Sequence, residues 1–219
     1  MNRPKKYDVS GLVEGQYEPG SHSRVLRNLL GIKHKREMDE LESEELKRTT
    51  GWAIENFHRD QTFTAEDIRL MHKNWLEGVY QWAGQYRQVM MSKAGLPFAA
   101  PAQIPKLMND LEIGPLRRYT PCHGQDITDL TEGMAVVHTE LLLIHPFREG
   151  NGRIARLLAM LMGLQANLPL FDFSQIKGKK KTAYFSAVRA GLDMNYKPMQ
   201  EIFREVITWS LRSSGKEPS

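Results

Sequence analysis

His145, Glu149, Arg153 and Arg156 stand within one twelve-residue run, His145-Pro146-Phe147-Arg148-Glu149-Gly150-Asn151-Gly152-Arg153-Ile154-Ala155-Arg156. The set combines an imidazole that can move a proton near neutral pH, a carboxylate that can ligate a metal, and two guanidinium groups that can grip an anion. Pro146 disfavours α geometry at His145, so a preceding helix has to stop there and present the imidazole at its end. Gly150 and Gly152 allow a tight turn and a close backbone approach to a ligand. Ile154, Leu157, Leu158, Leu161 and Leu164 follow at helical spacing, so a second helix starts near Asn151. Its first turn meets the glycines with free N–H groups and the positive end of its dipole. Arg153 and Arg156 lie three apart on that turn, where each cation is unfavourable by roughly 0.3–1 kcal/mol unless an anion compensates it. The combination describes a site for several phosphates. Glu149 fits among them when a divalent cation such as Mg2+ bridges carboxylate and phosphate oxygens.

The run resembles the signature of the Fic (filamentation induced by cAMP) family, H-x-F-x-[D/E]-G-N-G-R-x-x-R, and matches it at every fixed position. The resemblance implies an all-α single domain with one small β-hairpin flap. It implies an enzyme, a protein adenylyltransferase that moves AMP from ATP, with Mg2+, onto a Tyr, Thr or Ser hydroxyl of a target protein. His145 is then the general base and Glu149 the Mg2+ ligand. Gly150, Asn151, Gly152, Arg153 and Arg156 are the binders of the nucleotide, and Phe147 is the buried anchor of the loop. Tyr184 is similar to a tyrosine that the family places near the adenine, although a lone aromatic reads equally well as core. The resemblance leaves the donor open, since relatives use other nucleotides such as UTP, and a few use phosphocholine or act as kinases.

The chain has 219 residues, enough for one sizeable core, and 41% of them are hydrophobic. No apolar run approaches the length of a membrane span, and Met1-Asn2-Arg3-Pro4-Lys5-Lys6 lacks the apolar stretch of a secretory signal. The single cysteine, Cys122, excludes an internal disulfide and points to a reducing compartment, so a cytoplasmic protein is expected. A net charge of +4 is mild, and no zinc knuckle or aromatic-interleaved basic stripe argues for direct nucleic-acid binding.

The elements that must position the signature follow from periodicity. Ile127, Leu130, Met134, Val137, Leu141 and Ile144 step by three and four, a core helix that delivers His145 to its end. His138, two turns earlier on that face, is too far along for a metal pair and reads as supporting or structural. Thr64-Ala65-Glu66-Asp67 has capping-box spacing, and Ile68, Met71, Trp75 and Val79 then mark a helix over 65–77, with His72 read as structural. Residues 35–59 alternate in charge as an exposed helix with Met38, Leu41, Leu46, Ala53, Ile54 and Phe57 inward. Gln88–Ser92 and Leu96–Ala99 flank Lys93-Ala94-Gly95 as a short hairpin. By the resemblance this is the flap, preceded by an Ala-Gly-Gln-x-Arg-like run, and Ser92, Lys93, Ala94 and Gly95 hold the target segment by strand addition. Further helices are expected over 102–113, from about Thr182 to Gly191, and over 198–212. Lys177-Gly178-Lys179-Lys180-Lys181 reads as a solvated run, with an anionic partner as the alternative.

Domain organisation is read as an N-terminal arm over 1–33, a Fic domain over 34–212 and a disordered tail over 213–219. The arm is expected to hold a short helix over Ser23–Leu30. Tyr17-Glu18-Pro19-Gly20 and Val25–Ile32 resemble the N-terminal segment of single-domain bacterial Fic toxins. That resemblance implies a type II DNA topoisomerase as a target and an antitoxin chain as a partner. Fic proteins are commonly restrained by a [S/T]-x-x-x-E-[G/N] motif whose Glu pairs with the second signature arginine, here Arg156. Ser10–Gly15 fits the pattern around Glu14 but is rich in helix breakers. Gly51–Asn56 places Glu55 in a helix but lacks the Ser or Thr. Control from outside the chain is therefore expected.

Two other classes compete with this reading. Gly150-Asn151-Gly152-Arg153-Ile154-Ala155 satisfies G-x-G-x-x-A, with Asp172 twenty residues past Gly152, yet dinucleotide binding needs a preceding strand in a βαβ unit. A catalytically silent binding module is disfavoured because His145, Glu149 and both arginines are all present.

Overall fold

The computed structural model describes residues 11–93, 95–124 and 126–215. Among them run seven helices of eight residues or more. They are α1 (Lys35–Asn56), α2 (Ala65–Leu76), α3 (Ile104–Leu111), α4 (Ile127–Ile144), α5 (Asn151–Gln165), α6 (Gly178–Ala190) and α7 (Lys197–Ser213). The one sheet is a hairpin of β1 (Ser92–Lys93) and β2 (Leu96–Pro97), antiparallel, with Ser92 opposite Pro97 and Lys93 opposite Leu96. The all-α class with one small hairpin is as expected, and Ala94 lies outside the described residues.

α4 is the axis. Met134, Ala135, Val137, His138, Leu141, Leu142 and Ile144 are all buried, because α5 and α7 cover it on different sides. Asp126 caps its start, its carboxylate accepting from the Thr128 and Asp129 N–H groups. α5 is buried nearly as fully, from Ile154 to Met162. α2 begins with the anticipated reciprocal capping box between Thr64 and Asp67.

Four expectations are corrected. The arm has no helix over 23–30. Instead Tyr17 bridges Leu26 in antiparallel fashion, and the Asn28 carboxamide donates to the Leu26 and Ile32 carbonyls while accepting from the Leu30 and Ile32 N–H groups. So short a segment cannot carry helix nucleation, and an Asn that bonds the neighbouring backbone competes with a helix. In α1 the buried residues are Met38, Glu42, Thr49 and Ala53, while Ile54 is exposed. α3 does not stop near 113 but continues through a wide π turn, Glu112–Leu116, into Arg117–Tyr119. A wide turn accommodates Pro115, which has no N–H to give, and so Leu116 can be buried. α6 starts at Gly178 rather than Thr182, which puts Lys179, Lys180 and Lys181 on its exposed first turn. α7 reaches Ser213, and residues 216–219 of the expected tail lie outside the described residues.

Candidate active site

His145 caps α4 in the left-handed region, at φ 53° and ψ 59°, as a residue before proline must leave the α region. Its ring stacks on Phe98, just past β2, with centroids 3.6 Å apart and planes within 4°. Nδ1 lies 3.2 Å from the Leu142 carbonyl, which can only accept, so Nδ1 carries the proton and Nε2 keeps the free lone pair. Burial pushes the imidazole pKa down to about 4, with Arg87 and Lys93 adding to the effect against the Leu142 bond. At neutral pH the ring is a neutral acceptor.

The turn between α4 and α5 is closed by its own residues. The Phe147 N–H donates to Asn151 Oδ1 at 2.8 Å, and Asn151 Nδ2 donates back to the Phe147 carbonyl at 2.7 Å. Phe147 is fully buried and stacks on His72, centroids 3.9 Å apart. His72 accepts the Gly84 N–H at Nδ1, so its Nε2–H donates to the Glu149 carbonyl. Gly150 has φ +86°, and a Cβ there would stand 2.5 Å from the Trp75 ring. The expected phosphate role of the Asn151 side chain meets a competing observation: both polar atoms of its carboxamide are engaged by Phe147. What Asn151 and Gly152 offer a ligand is backbone N–H, since neither makes a hydrogen bond among the described residues. Gly152 faces open space.

The two arginines are treated differently. Arg153 Nη1 donates to Glu42 of α1 at 2.8 Å, Nη2 lies 3.3 Å from Glu149 Oε1, and the guanidinium sits 4.5 Å from the Trp75 ring centroid. Truncating Arg153 would therefore orphan a buried carboxylate as well as remove a cation. Arg156 packs over Phe173, and among the described residues no carboxylate pairs with it. Glu14 is on a short 3-10 turn and accepts the Gln88 N–H, while its carbonyl takes the Arg148 Nε–H. Glu55 is exposed on the last turn of α1. Neither glutamate meets Arg156.

His145, Glu149, Gly150, Gly152, Arg153, Arg156 and Tyr184 line one cavity of about 320 Å3, together with the flap residues Lys93, Leu96 and Phe98. Lys181 and Arg189 of α6 add further cations, and among the described residues Glu149 is the only carboxylate in the lining. The flap leans over this cavity with Lys93 Nζ 5.0 Å from the Phe185 ring centroid. Ser92 and Gly95 do not line it. Tyr184 is buried and donates its hydroxyl to His138 Nε2 at 2.7 Å, because His138 Nδ1–H is given to the Ala155 carbonyl. A larger cleft of about 450 Å3, between α6 and α7 around Ile202 and Trp209, contains no signature residue and is not the reaction site. Cys122 is buried and its thiol pKa is pushed up to about 12, so it is no nucleophile.

The Fic/DOC family model matches residues 62–162, the span from the start of α2 to the end of α5 that holds every signature residue. The matched span is a Fic/DOC domain. The chain is 29% identical over 162 residues to "Probable protein adenylyltransferase y4lH" of Sinorhizobium fredii, covering 74% of its own length and 81% of that protein. Among solved structures, it matches the BepC protein of Bartonella tribocorum with bound AMPPNP at 25% identity and a TM-score of 0.71. That match covers 92% of this chain and 98% of the solved chain. A second match is the N-terminal Fic domain of a VirB-translocated Bep effector protein of Bartonella quintana with bound ADP. Here the identity is 26% and the TM-score 0.72, covering 88% of this chain and 94% of that one.

Three contributors to this Fic site escaped the sequence reading. Arg87, 1% exposed, donates to the carbonyls of Ile144, His145, Val89 and Ala99 and so ties the end of α4 to both sides of the flap. The Ala-Gly-Gln-Tyr-Arg run is its signal in the sequence. Trp75, placed in the core by its spacing, is the floor of the glycine turn. Glu42 gave no signal, as one acid among many in a charged helix.

Proposed function

We propose that this chain transfers AMP from ATP to a Tyr, Thr or Ser hydroxyl of another protein. It is a nucleotidyltransferase of the Fic type, and its similarity to a relative named as an adenylyltransferase supports AMP as the group moved. One observation carries the reading: a neutral imidazole, the open N-terminus of α5 and Arg156, with which no carboxylate among the described residues pairs, share one cation-rich cavity under a hairpin.

The α5 N–H groups of Asn151 and Gly152, with Arg153 and Arg156, hold the phosphates and take up charge as it develops. His145 Nε2 accepts the proton of the incoming hydroxyl as its oxygen bonds to the α-phosphorus and pyrophosphate leaves. The Phe98 stack and the Leu142 bond keep Nε2 aimed and Nδ1 protonated. Glu149 fits a Mg2+ ligand: its half-exposed carboxylate accepts the Gly150 N–H and meets Arg153 at Oε1 only, and among the described residues its Oε2 makes no bond. Bound there, the metal would offset charge on the phosphates. Tyr184, locked on His138, would present an aromatic wall toward the base.

The flap edge suits an extended target segment, with Lys93 at its rim. A type II DNA topoisomerase is the first target to test, on the resemblance of the arm to single-domain toxins. The freedom of Arg156 from Glu14 and Glu55 favours restraint by an antitoxin chain. ATP as donor favours action in a cytoplasm. The test is incubation of purified protein with a cell lysate, Mg2+ and labelled ATP or UTP, followed by mass spectrometry. Label from ATP on a side-chain hydroxyl supports the reading, and label from UTP alone replaces the donor. No labelled protein from either nucleotide, with a folded enzyme, overturns it.

A further inference from the structure

Glu42 is the most deeply buried carboxylate among the described residues, 2% exposed on a helix otherwise covered in charge. Burying a carboxylate is unfavourable unless it is paired and hydrogen-bonded. Its Oε1 accepts the Tyr80 hydroxyl at 2.7 Å and its Oε2 accepts Arg153 Nη1 at 2.8 Å, while its carbonyl takes the Trp75 indole N–H. Trp75 also lies under the guanidinium. One ring and one buried carboxylate therefore fix Arg153. Its other contact, to Glu149 Oε1 at 3.3 Å, is longer than a well-formed N–H···O bond.

We propose that Glu42 is a positioning residue for this reaction, keeping Arg153 to a single long contact with Glu149 Oε1 so that Glu149 Oε2 stays available to a divalent cation. The proposal rests on the reading of Glu149 as the metal ligand. Glu149, in the turn, and Arg153, on the first turn of α5, already lie within reach of each other, and a carboxylate and a guanidinium so placed pair readily and in bidentate fashion. With Glu42 absent, Arg153 turns to Glu149 and the two charges cancel. With Glu42 present, two carboxylates and one guanidinium leave a net charge of −1 on the side of the cavity where a cation has to sit. Arg156, outside this network, keeps its charge for phosphate.

The test uses the full chain and four variants: Glu42→Gln, Tyr80→Phe, Glu149→Ala and the double Glu42→Gln/Arg153→Gln. ATP binding is titrated calorimetrically with Mg2+ and with EDTA, the half-saturating Mg2+ concentration for transfer is measured, and melting is followed alongside. Glu42→Gln is expected to raise half-saturating Mg2+ by about tenfold or more and to weaken nucleotide binding only when Mg2+ is present. Tyr80→Phe, which loses a hydrogen bond but no charge, lowers Tm and leaves the Mg2+ dependence in place. The double variant binds ATP more weakly because the phosphate contact of Arg153 is lost, but with no arginine to close on Glu149 the ratio of its binding with Mg2+ to that with EDTA returns to near the wild-type ratio. It also decides the matter should the single Glu42 variant fail to fold. Unchanged Mg2+ dependence in folded Glu42→Gln, equal losses with and without Mg2+, or a double variant that is unresponsive to Mg2+ overturns the proposal. If instead wild-type binding does not depend on Mg2+, or Glu149→Ala leaves that dependence intact, it is the underlying reading of Glu149 that falls.

Discussion

The signature turn and the flap line the same cavity and are built on opposite principles. From His145 to Arg153 the groups that shape the turn are engaged: Asn151 with Phe147, His72 with Glu149, Arg153 with Glu42, Arg87 with the Ile144 and His145 carbonyls. Gly150 is held against the Trp75 ring with no room for a methyl group. The flap has two residue pairs in register, an exposed tip, and no further strand along its edges among the described residues. A two-stranded hairpin alone is marginal in water, and this one is secured by Phe98 on His145 and by Arg87 on Val89 and Ala99. A turn that fixes reacting atoms within tenths of an ångström has to be over-determined. An edge that accepts different extended segments has to leave backbone unpaired.

Arg87 joins the two regions, and its loss should blur the contrast most. Arg87→Met leaves four buried or half-buried carbonyls without a donor and should cost about 3–5 kcal/mol in urea unfolding, with transfer lost. A loss under 1 kcal/mol would mean that the turn holds itself without this bridge. His145→Ala should separate chemistry from architecture. Transfer should fall by about 10²–10⁴, while ATP affinity and Tm change little, and a folded variant with full transfer removes His145 from the reaction.

Acid probes the turn before the flap. His72 and His138 are held neutral by burial, their pKa values lowered to about 3, and His145 to about 4. In the unfolded chain each titrates near 6.5, so between those values the unfolded state binds more protons. Stability should be level above pH 6.5 and fall steadily as pH drops toward 3. Activity should persist below pH 6.5, because the base itself stays neutral until about 4. Chemical unfolding at pH 7, 6 and 5 with matched rates checks this, and a flat stability profile contradicts it.

Smaller effects sharpen the comparison. Gly152 has open space where a Cβ would go, and it lies inside a helix. Gly152→Ala should stabilise the empty protein by up to about 1 kcal/mol yet weaken ATP binding, since the methyl group occupies the approach to the phosphates. Equal or tighter ATP binding would show that no ligand comes close there. At the flap, Gly95 has φ +77° and an exposed position. Gly95→Ala should cost about 1 kcal/mol locally, reduce target labelling and leave ATP affinity unchanged. A parallel fall in ATP affinity would tie the flap tip to the nucleotide rather than to the target.

The sequence by itself determined the family signature, the helices and the place of His145. Apolar spacing marks α2, α4 and α5, Pro146 ends α4, and Thr64-Ala65-Glu66-Asp67 caps α2. These are properties of neighbours three and four residues apart, and local chemistry records them. It also marked His72 and His138 as supporting residues rather than ligands, and their hydrogen bonds to Glu149, Gly84, Ala155 and Tyr184 fit that part. Tertiary structure alone decided which charges are buried and with whom. Glu42 and Arg153 are 111 positions apart, and Arg87 and His145 are 58 apart. In α1, Glu42 reads like every other surface acid until Tyr80 and Arg153 close over it. The same reason made Asn28 stop a helix in the arm and engaged the Asn151 carboxamide with Phe147. A polar side chain has several partners within reach of its chemistry, and only the folded backbone selects among them.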